Sequence, residues 1–344
     1  DATDSRNLQT ISGIGNAQTY PLTECILFRC KELQSDGFSK FLERCPHLHT
    51  LSLLGCSELK ELDLATLFEM VPELTVLTCP PNFGDEALQS VIRNSFQMKS
   101  LYLSTSGRIT SVGCNALEHF HSQTLRHLTL PHTTNDLVIS TIAPVLSNLT
   151  YLDLDECPIT STSVSLIFAQ CLTLHTLSIS DCTRVTSSGL SPLSDSQNPR
   201  AGTQLRSFNA MAVPLGDEAI EALANRCFLL KKIDLLSNHL VTDRGLTALV
   251  TKCIHLHTIN ASLVSHATDI FVSCLASIGS QRGPQLDLEI YGCPNISAAS
   301  IVSLLQSRVI NLLNVSPDIF RHIQDNGLAH LVSELQCSRG DPIL

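Results

Sequence analysis

Apolar residues recur along the chain in one phrase, L-x-x-L-x-L, with hydrophobic first, fourth and sixth positions and polar residues between. LHTLSL (48–53) gives it in full, and LTVLTC (74–79), MKSLYL (98–103), LRHLTL (125–130) and LTYLDL (149–154) follow. LHTLSI (174–179), LRSFNA (205–210), LKKIDL (230–235) and LHTINA (256–261) continue the series; LTECIL (22–27), QLDLEI (285–290) and INLLNV (310–315) are weaker copies. The copies start 24 to 27 residues apart, except for two gaps of 31 and 29. The alternation predicts a short strand whose first, fourth and sixth side chains turn inward. Each strand is followed by a helix-period stretch such as GDEAIEALANRC (216–227) or TDRGLTALVTKC (242–253). One such unit cannot bury both of its apolar faces, so about twelve are expected to stack into an α/β solenoid with a continuous core. The expected organisation is a lead-in or partial cap over 1–21, the solenoid over 22–337 and a tail over 338–344.

Repeat phase also accounts for most of the cysteines. Cys30, Cys56, Cys157, Cys182 and Cys293 lie eight residues past a repeat start, where Asn82 and Asn238 stand in other copies. Cys45, Cys171, Cys227 and Cys253 lie three before a start, and Cys25 and Cys79 on inward strand positions. A small side chain at the turn can pack or bond there, and free cysteine behaves as a small buried hydrophobe. Neighbouring ladder cysteines such as Cys157 and Cys182 are expected roughly 5 Å apart. Their parallel Cβ atoms stay farther apart than the ~3.8 Å a disulfide prefers, so reduced thiols and a reducing intracellular compartment (cytoplasm, nucleus or a cytoskeletal or ciliary assembly) are expected.

Cys45, His47, His49 and Cys56 resemble zinc ligands in type. The pattern Cys45-Pro-His47-Leu-His49 returns as Cys253-Ile-His255-Leu-His257 at the same phase, however. Many repeats separate the two clusters, so they cannot share an ion, and surface histidine is the expected reading. No metal and no cofactor are expected.

The formal net charge of −10 argues against a general nucleic-acid binder, which needs a basic face. Only 16% of residues are charged, below the roughly 25% typical of soluble domains, which suits life inside an assembly. No apolar run reaches the ~18 to 20 residues of a membrane span. SGIGNAQ (12–18) lacks the third glycine of a dinucleotide fingerprint, and no phosphate loop, H-E-x-x-H or G-x-S-x-G occurs. Asp153 and Asp155 lie side by side on an open strand face rather than in a pocket that would part their pKa values. The sequons at Asn148, Asn260, Asn295 and Asn314 and the tripeptide Arg339-Gly340-Asp341 read as chance. No enzymatic activity is expected.

The full unit is legible in LHTLSISDCTRVTSSGL (174–190) and LKKIDLLSNHLVTDRGLTALVTKC (230–253). It resembles the cysteine-containing class of leucine-rich repeats, and is most similar to the repeat domains of F-box leucine-rich-repeat proteins, over nearly all of 22–337. The resemblance implies a curved horseshoe, with parallel strands on the concave face and helices on the convex face. It also implies a non-enzymatic protein–protein interaction module, the substrate-recognition part of an F-box-type ubiquitin ligase. An F-box needs about forty residues, more than 1–21 provide, so docking to a cullin ligase adaptor is expected only if further upstream sequence carries one. The alternative within this class is a structural scaffold subunit of a ciliary or other large assembly.

Strand geometry points the third, fifth and seventh residues of each copy to the concave side. These include Phe28, Tyr102, Tyr151, Asp153, Asp155, Lys232, Asp234, Leu236, Asp287, Glu289 and Tyr291. Tyrosine is enriched at interface hot spots, and the carboxylates outnumber Lys232, so a partner with a basic segment is expected there. The polar insertions 194–203 and 279–284 read as tolerated edge loops.

Overall fold

The computed structural model describes residues 19–120, 124–282, 286–332 and 334–337. The SGIGNAQ stretch, Arg339-Gly340-Asp341, most of the lead-in and the whole tail lie outside them. The chain forms two compact units, Asp1–Pro158 and Ile159–Leu344. In the first, strands β1 (Glu24–Ile26), β2 (Thr50–Ser52), β3 (Val76–Thr78), β4 (Ser100–Tyr102), β5 (His127–Thr129) and β6 (Tyr151–Asp153) pair parallel in chain order. The second holds β7 (Thr176–Ser178), β8 (Ser207–Asn209), β9 (Lys232–Asp234), β10 (Thr258–Asn260), β11 (Leu286–Glu289), β12 (Ile310–Val315) and β13 (Glu334–Cys337), likewise parallel in order.

Every expected copy of L-x-x-L-x-L carries a strand across its middle. The inward positions are buried as the alternation requires: Leu48, Leu51 and Leu53 in one repeat, Leu230, Ile233 and Leu235 in another. β13 is one strand more than the sequence suggested. Val332, Leu335 and Cys337 hold the first, fourth and sixth positions there, but only one of them is leucine.

Helix 243–252 shows how the return segments are built. Thr242 caps it, its hydroxyl accepting the Arg244 N–H at 3.2 Å, and Leu246, Leu249 and Val250 face the core. Its first residue, Asp243, reaches the next repeat and accepts from the Thr268 N–H (2.8 Å), the Thr268 hydroxyl (2.6 Å) and the Phe271 N–H (3.3 Å). Asp217 does the same for Thr242 and the Gly245 N–H, Asp269 for Ser297 and, in the first unit, Asp85 for Thr110. Each carboxylate thus satisfies donors left open at the start of the following helix. Gly245 makes room for it: a Cβ there would lie 2.7 Å from Asp217 Oδ1.

A turn of one kind recurs after eight of the strands, though not after β3, β4, β5 or β12. Arg29, Gly55, Glu156, Asp181, Ala212, Ser237, Leu263 and Gly292, all eighth in their repeats, take left-handed backbone with φ between 52° and 75°. The ninth residue then ties the turn to the preceding repeat. Cys56 donates to the Leu27 carbonyl at 3.7 Å, Cys157 to Pro131 at 3.4 Å and Cys293 to Ala261 at 3.2 Å. Asn238 plays the same part on the Ala210 carbonyl at 2.7 Å, whereas Asn82 bonds Ser57 instead. All fourteen cysteines are free thiols. Burial pushes Cys56 and Cys293 up to about 11 and Cys171 up to about 12, so they stay protonated and inert.

Gly292 gives a direct test of this turn. Left-handed backbone costs a non-glycine residue ~1–2 kcal/mol, and a Cβ at 292 would meet Leu263 Cδ2 at 2.3 Å. Gly292→Ala is therefore expected to lower unfolding stability by about 1–2 kcal/mol, measured by denaturant titration. An unchanged midpoint would refute this reading of the turn.

The 194–203 insertion is tied down. The Arg226 guanidinium donates to the carbonyls of Leu193, Pro199 and Asp195 at 2.9 to 3.1 Å, and Asn198 donates to the Ala169 carbonyl at 2.9 Å. Residues 279–282 lie in helix Asp269–Arg282; 283 and 284 are outside the described residues.

Candidate protein-binding face

The strand residues that alternate with the core positions form the open side of each unit's ladder. In the first unit the register sets Ser100, His127 and Tyr151 in one row and Tyr102, Thr129 and Asp153 in the next. The His127 and Tyr151 rings lie 5.9 Å apart at 39°, and Ser100 Oγ bonds His127 Nδ1 at 3.2 Å. Asp153 Oδ1 accepts the Asp155 N–H at 3.0 Å, which braces the strand end. Its carboxyl is held above the ordinary value by burial, with the nearby Asp155 charge adding to the effect; the Asp155 N–H, His132 and the Tyr151 hydroxyl act the other way. Burial, together with Asp153 and Asp155, pushes the Tyr151 phenol up to about 12. Tyr102, Tyr151, Asp153 and Asp155 are all half-buried. Phe28 and its neighbour Ile26 are 59% and 62% exposed, with the Arg29 guanidinium carbon 4.9 Å from the Phe28 ring centre.

The second unit uses its carboxylates differently. Asp234 accepts from the Leu236 N–H (2.9 Å) and the Asn260 amide (3.2 Å). Asn311 donates to Asp287 at 2.7 Å and Asn314 to Glu289 at 3.3 Å. An amide on the neighbouring strand therefore answers each acid, and these pairs bind repeat to repeat. Tyr291 stands beside them, its phenol raised by burial and then by Glu289 and Asp234. Lys232 is exposed at the edge of this group, while Leu236 is 7% exposed and belongs to the core. Alternation alone found the tyrosines and acids but missed Asn260, Asn311 and Asn314, which lie 24 to 26 residues from their partners.

The histidine–cysteine cluster is pulled apart. Cys45 and Cys56 are fully buried, while His47 and His49 stand outside beside Glu73, at 3.1 and 4.0 Å from Glu73 Oε2. Among the described residues no group of three or more His, Cys, Asp or Glu is placed to hold a metal ion, and no helix is long and apolar enough to cross a membrane.

No protein-family model and no curated protein matches the sequence. Solved structures do. The chain is similar to a chain of the yeast Rad7–Elc1 complex, with a TM-score of 0.59 at 15% identity, over 92% of this chain and 80% of that one. An internalin, InlF of Listeria monocytogenes, matches with a TM-score of 0.59 at 16% identity, over 98% and 91% of the two chains. The TLR13–ssRNA13 complex matches with a TM-score of 0.52 at 18% identity, over 85% of this chain but only 39% of that one. All three are leucine-rich-repeat proteins. The chain has the fold of a leucine-rich-repeat solenoid. At these identities the likeness is one of fold.

Proposed function

We propose that the chain recognises a protein partner through the open strand face, without catalysing a reaction, as the substrate-recognition part of an F-box-type ubiquitin ligase. The observation that supports binding most is the half-exposed group Tyr102, Tyr151, Asp153 and Asp155, which joins aromatic area to carboxylate charge. The partner carries a basic segment, because both faces are rich in acids; a nucleic acid backbone would be repelled by the same charge. The similarity to a protein solved in complex with Elc1 supports the ligase setting. Fourteen free cysteines favour a reducing, intracellular compartment. A second reading, a scaffold subunit of a large assembly, is favoured by Leu62, Val112 and Leu137, which stand exposed at the same helical position in three repeats.

Affinity purification of the full-length protein, with mass spectrometry of what accompanies it, separates the two readings. A cullin and its adaptor at stoichiometric levels are expected. A fixed set of many subunits without a cullin would replace the ligase reading with the scaffold.

A further inference from the structure

We infer that the corner formed by Tyr102, His127, Tyr151 and Asp153 receives the guanidinium of one arginine of the partner, an inference that rests on the binding role proposed above. Thr129 sits between Tyr102 and Asp153 in register. It is buried, and its hydroxyl is turned down to accept the Leu103 and Ser104 N–H groups at 2.9 and 3.2 Å. The short, inward-bonded Thr129 leaves a floor, with Tyr102 and Asp153 as walls about 10 Å apart at the backbone, two strand spacings. The tilted His127–Tyr151 pair borders it along the adjoining row.

The chemistry of these walls calls for a cation from outside. Asp153 Oδ1 is taken by the Asp155 N–H at 3.0 Å, and the Tyr151 side chain stands two residues before it on the same face of β6. Among the described residues no lysine or arginine is ion-paired with Asp153. The acids of the second unit, in contrast, already hold asparagine amides. A guanidinium fits better than an ammonium. It is flat, so it can lie on a tyrosine ring while its donors engage the Asp153 carboxylate; an ammonium is a compact, strongly hydrated point.

The chain has no tryptophan and four tyrosines, so ring-labelled tyrosine gives four sets of NMR signals, assignable by single Tyr→Phe variants. The full chain is titrated with Nα-acetyl-arginine amide, its lysine counterpart and its neutral citrulline isostere. Arginine is expected to shift Tyr102 and Tyr151 saturably in the millimolar range, while Tyr20 and Tyr291 stay still. Lysine should bind several-fold more weakly and citrulline should not bind. Asp153→Asn, which keeps the acceptor for the Asp155 N–H, should weaken arginine about tenfold, as loss of one desolvated charge pair would. Citrulline binding as well as arginine, equal shifts at Tyr291, or no saturable shift would each overturn the inference. If arginine fails while substitution at Tyr151 and Asp153 still abolishes partner capture, this inference falls and the binding role stands. If arginine binds while capture is unaffected, the binding role falls instead.

Discussion

Asp243→Ala is expected to lower the unfolding free energy by about 3 kcal/mol, a large fraction of a typical domain's stability. The substitution removes three acceptor contacts, to the Thr268 N–H, the Thr268 hydroxyl and the Phe271 N–H. Hydrogen bonds to charged groups contribute ~1.5–3 kcal/mol each when protected, less when part-exposed as here. The loss also strips a negative charge from the start of its own helix and of the next one. Asp243→Asn keeps one acceptor oxygen, so about half of the loss should return. Denaturant titration of both variants checks this; an alanine variant within ~0.5 kcal/mol of wild type, the usual range for surface changes, would show that the carboxylates do not couple repeats.

The same ladder predicts a direction with pH. Burial raises the Asp269 carboxyl, but bonds from Ser300 and Ser297 outweigh it and hold the group below its ordinary value. A depressed carboxylate contributes stability that is present above its unfolded pKa of ~3.9 and is lost as pH falls through the folded value. Acid should therefore weaken the wild type more steeply than an Asp269→Asn variant.

The second large effect concerns recognition. Tyr151→Ala combined with Asp153→Ala is expected to weaken partner binding at least a hundredfold, because paired hot-spot residues each contribute ~2 kcal/mol or more. Stability should move little. Asp153 alone should go the other way from Asp243. Its folded pKa is raised, so its charge opposes folding at neutral pH, and that opposition fades as pH falls through the folded value towards the unfolded one. Asp153→Asn is thus expected to be more stable than wild type at pH 7, with the two converging in acid.

The repeat was legible because burial follows a fixed period: Leu51, Leu101 and Leu152 are buried by the rule that placed them. β13 was missed because its copy starts at 332, 22 residues after the start at 310 and short of the usual 24 to 27, and because Leu335 and Cys337 are not buried. The left-handed turn was hidden for another reason. Arg29, Glu156, Asp181, Ala212, Ser237 and Leu263 adopt it without being glycine, so the register of neighbouring turns imposes a conformation that local propensity does not announce. The T-x-x-G spacing could be read as a motif, but its purpose needed coordinates, since Thr242 and Gly245 answer to Asp217 a full repeat away. The candidate face was half legible. Alternation placed Tyr102, Tyr151, Asp153, Asp155, Asp234 and Glu289 on one side of their strands. It could not tell Asp153, pressed against Asp155 and a tyrosine, from Asp234 and Glu289, which asparagines of the next strand hold. That distinction depends on cross-strand neighbours, which register alone supplies.

The central claim, that the open strand face binds a protein partner, is tested most directly by quantitative comparison of the proteins recovered with wild type and with the Tyr151→Ala, Asp153→Ala double variant. The account predicts that at least one stoichiometric partner drops away from the variant while its folding, followed by denaturant titration, is retained. Recovery of the same proteins at the same levels by a folded variant would contradict it.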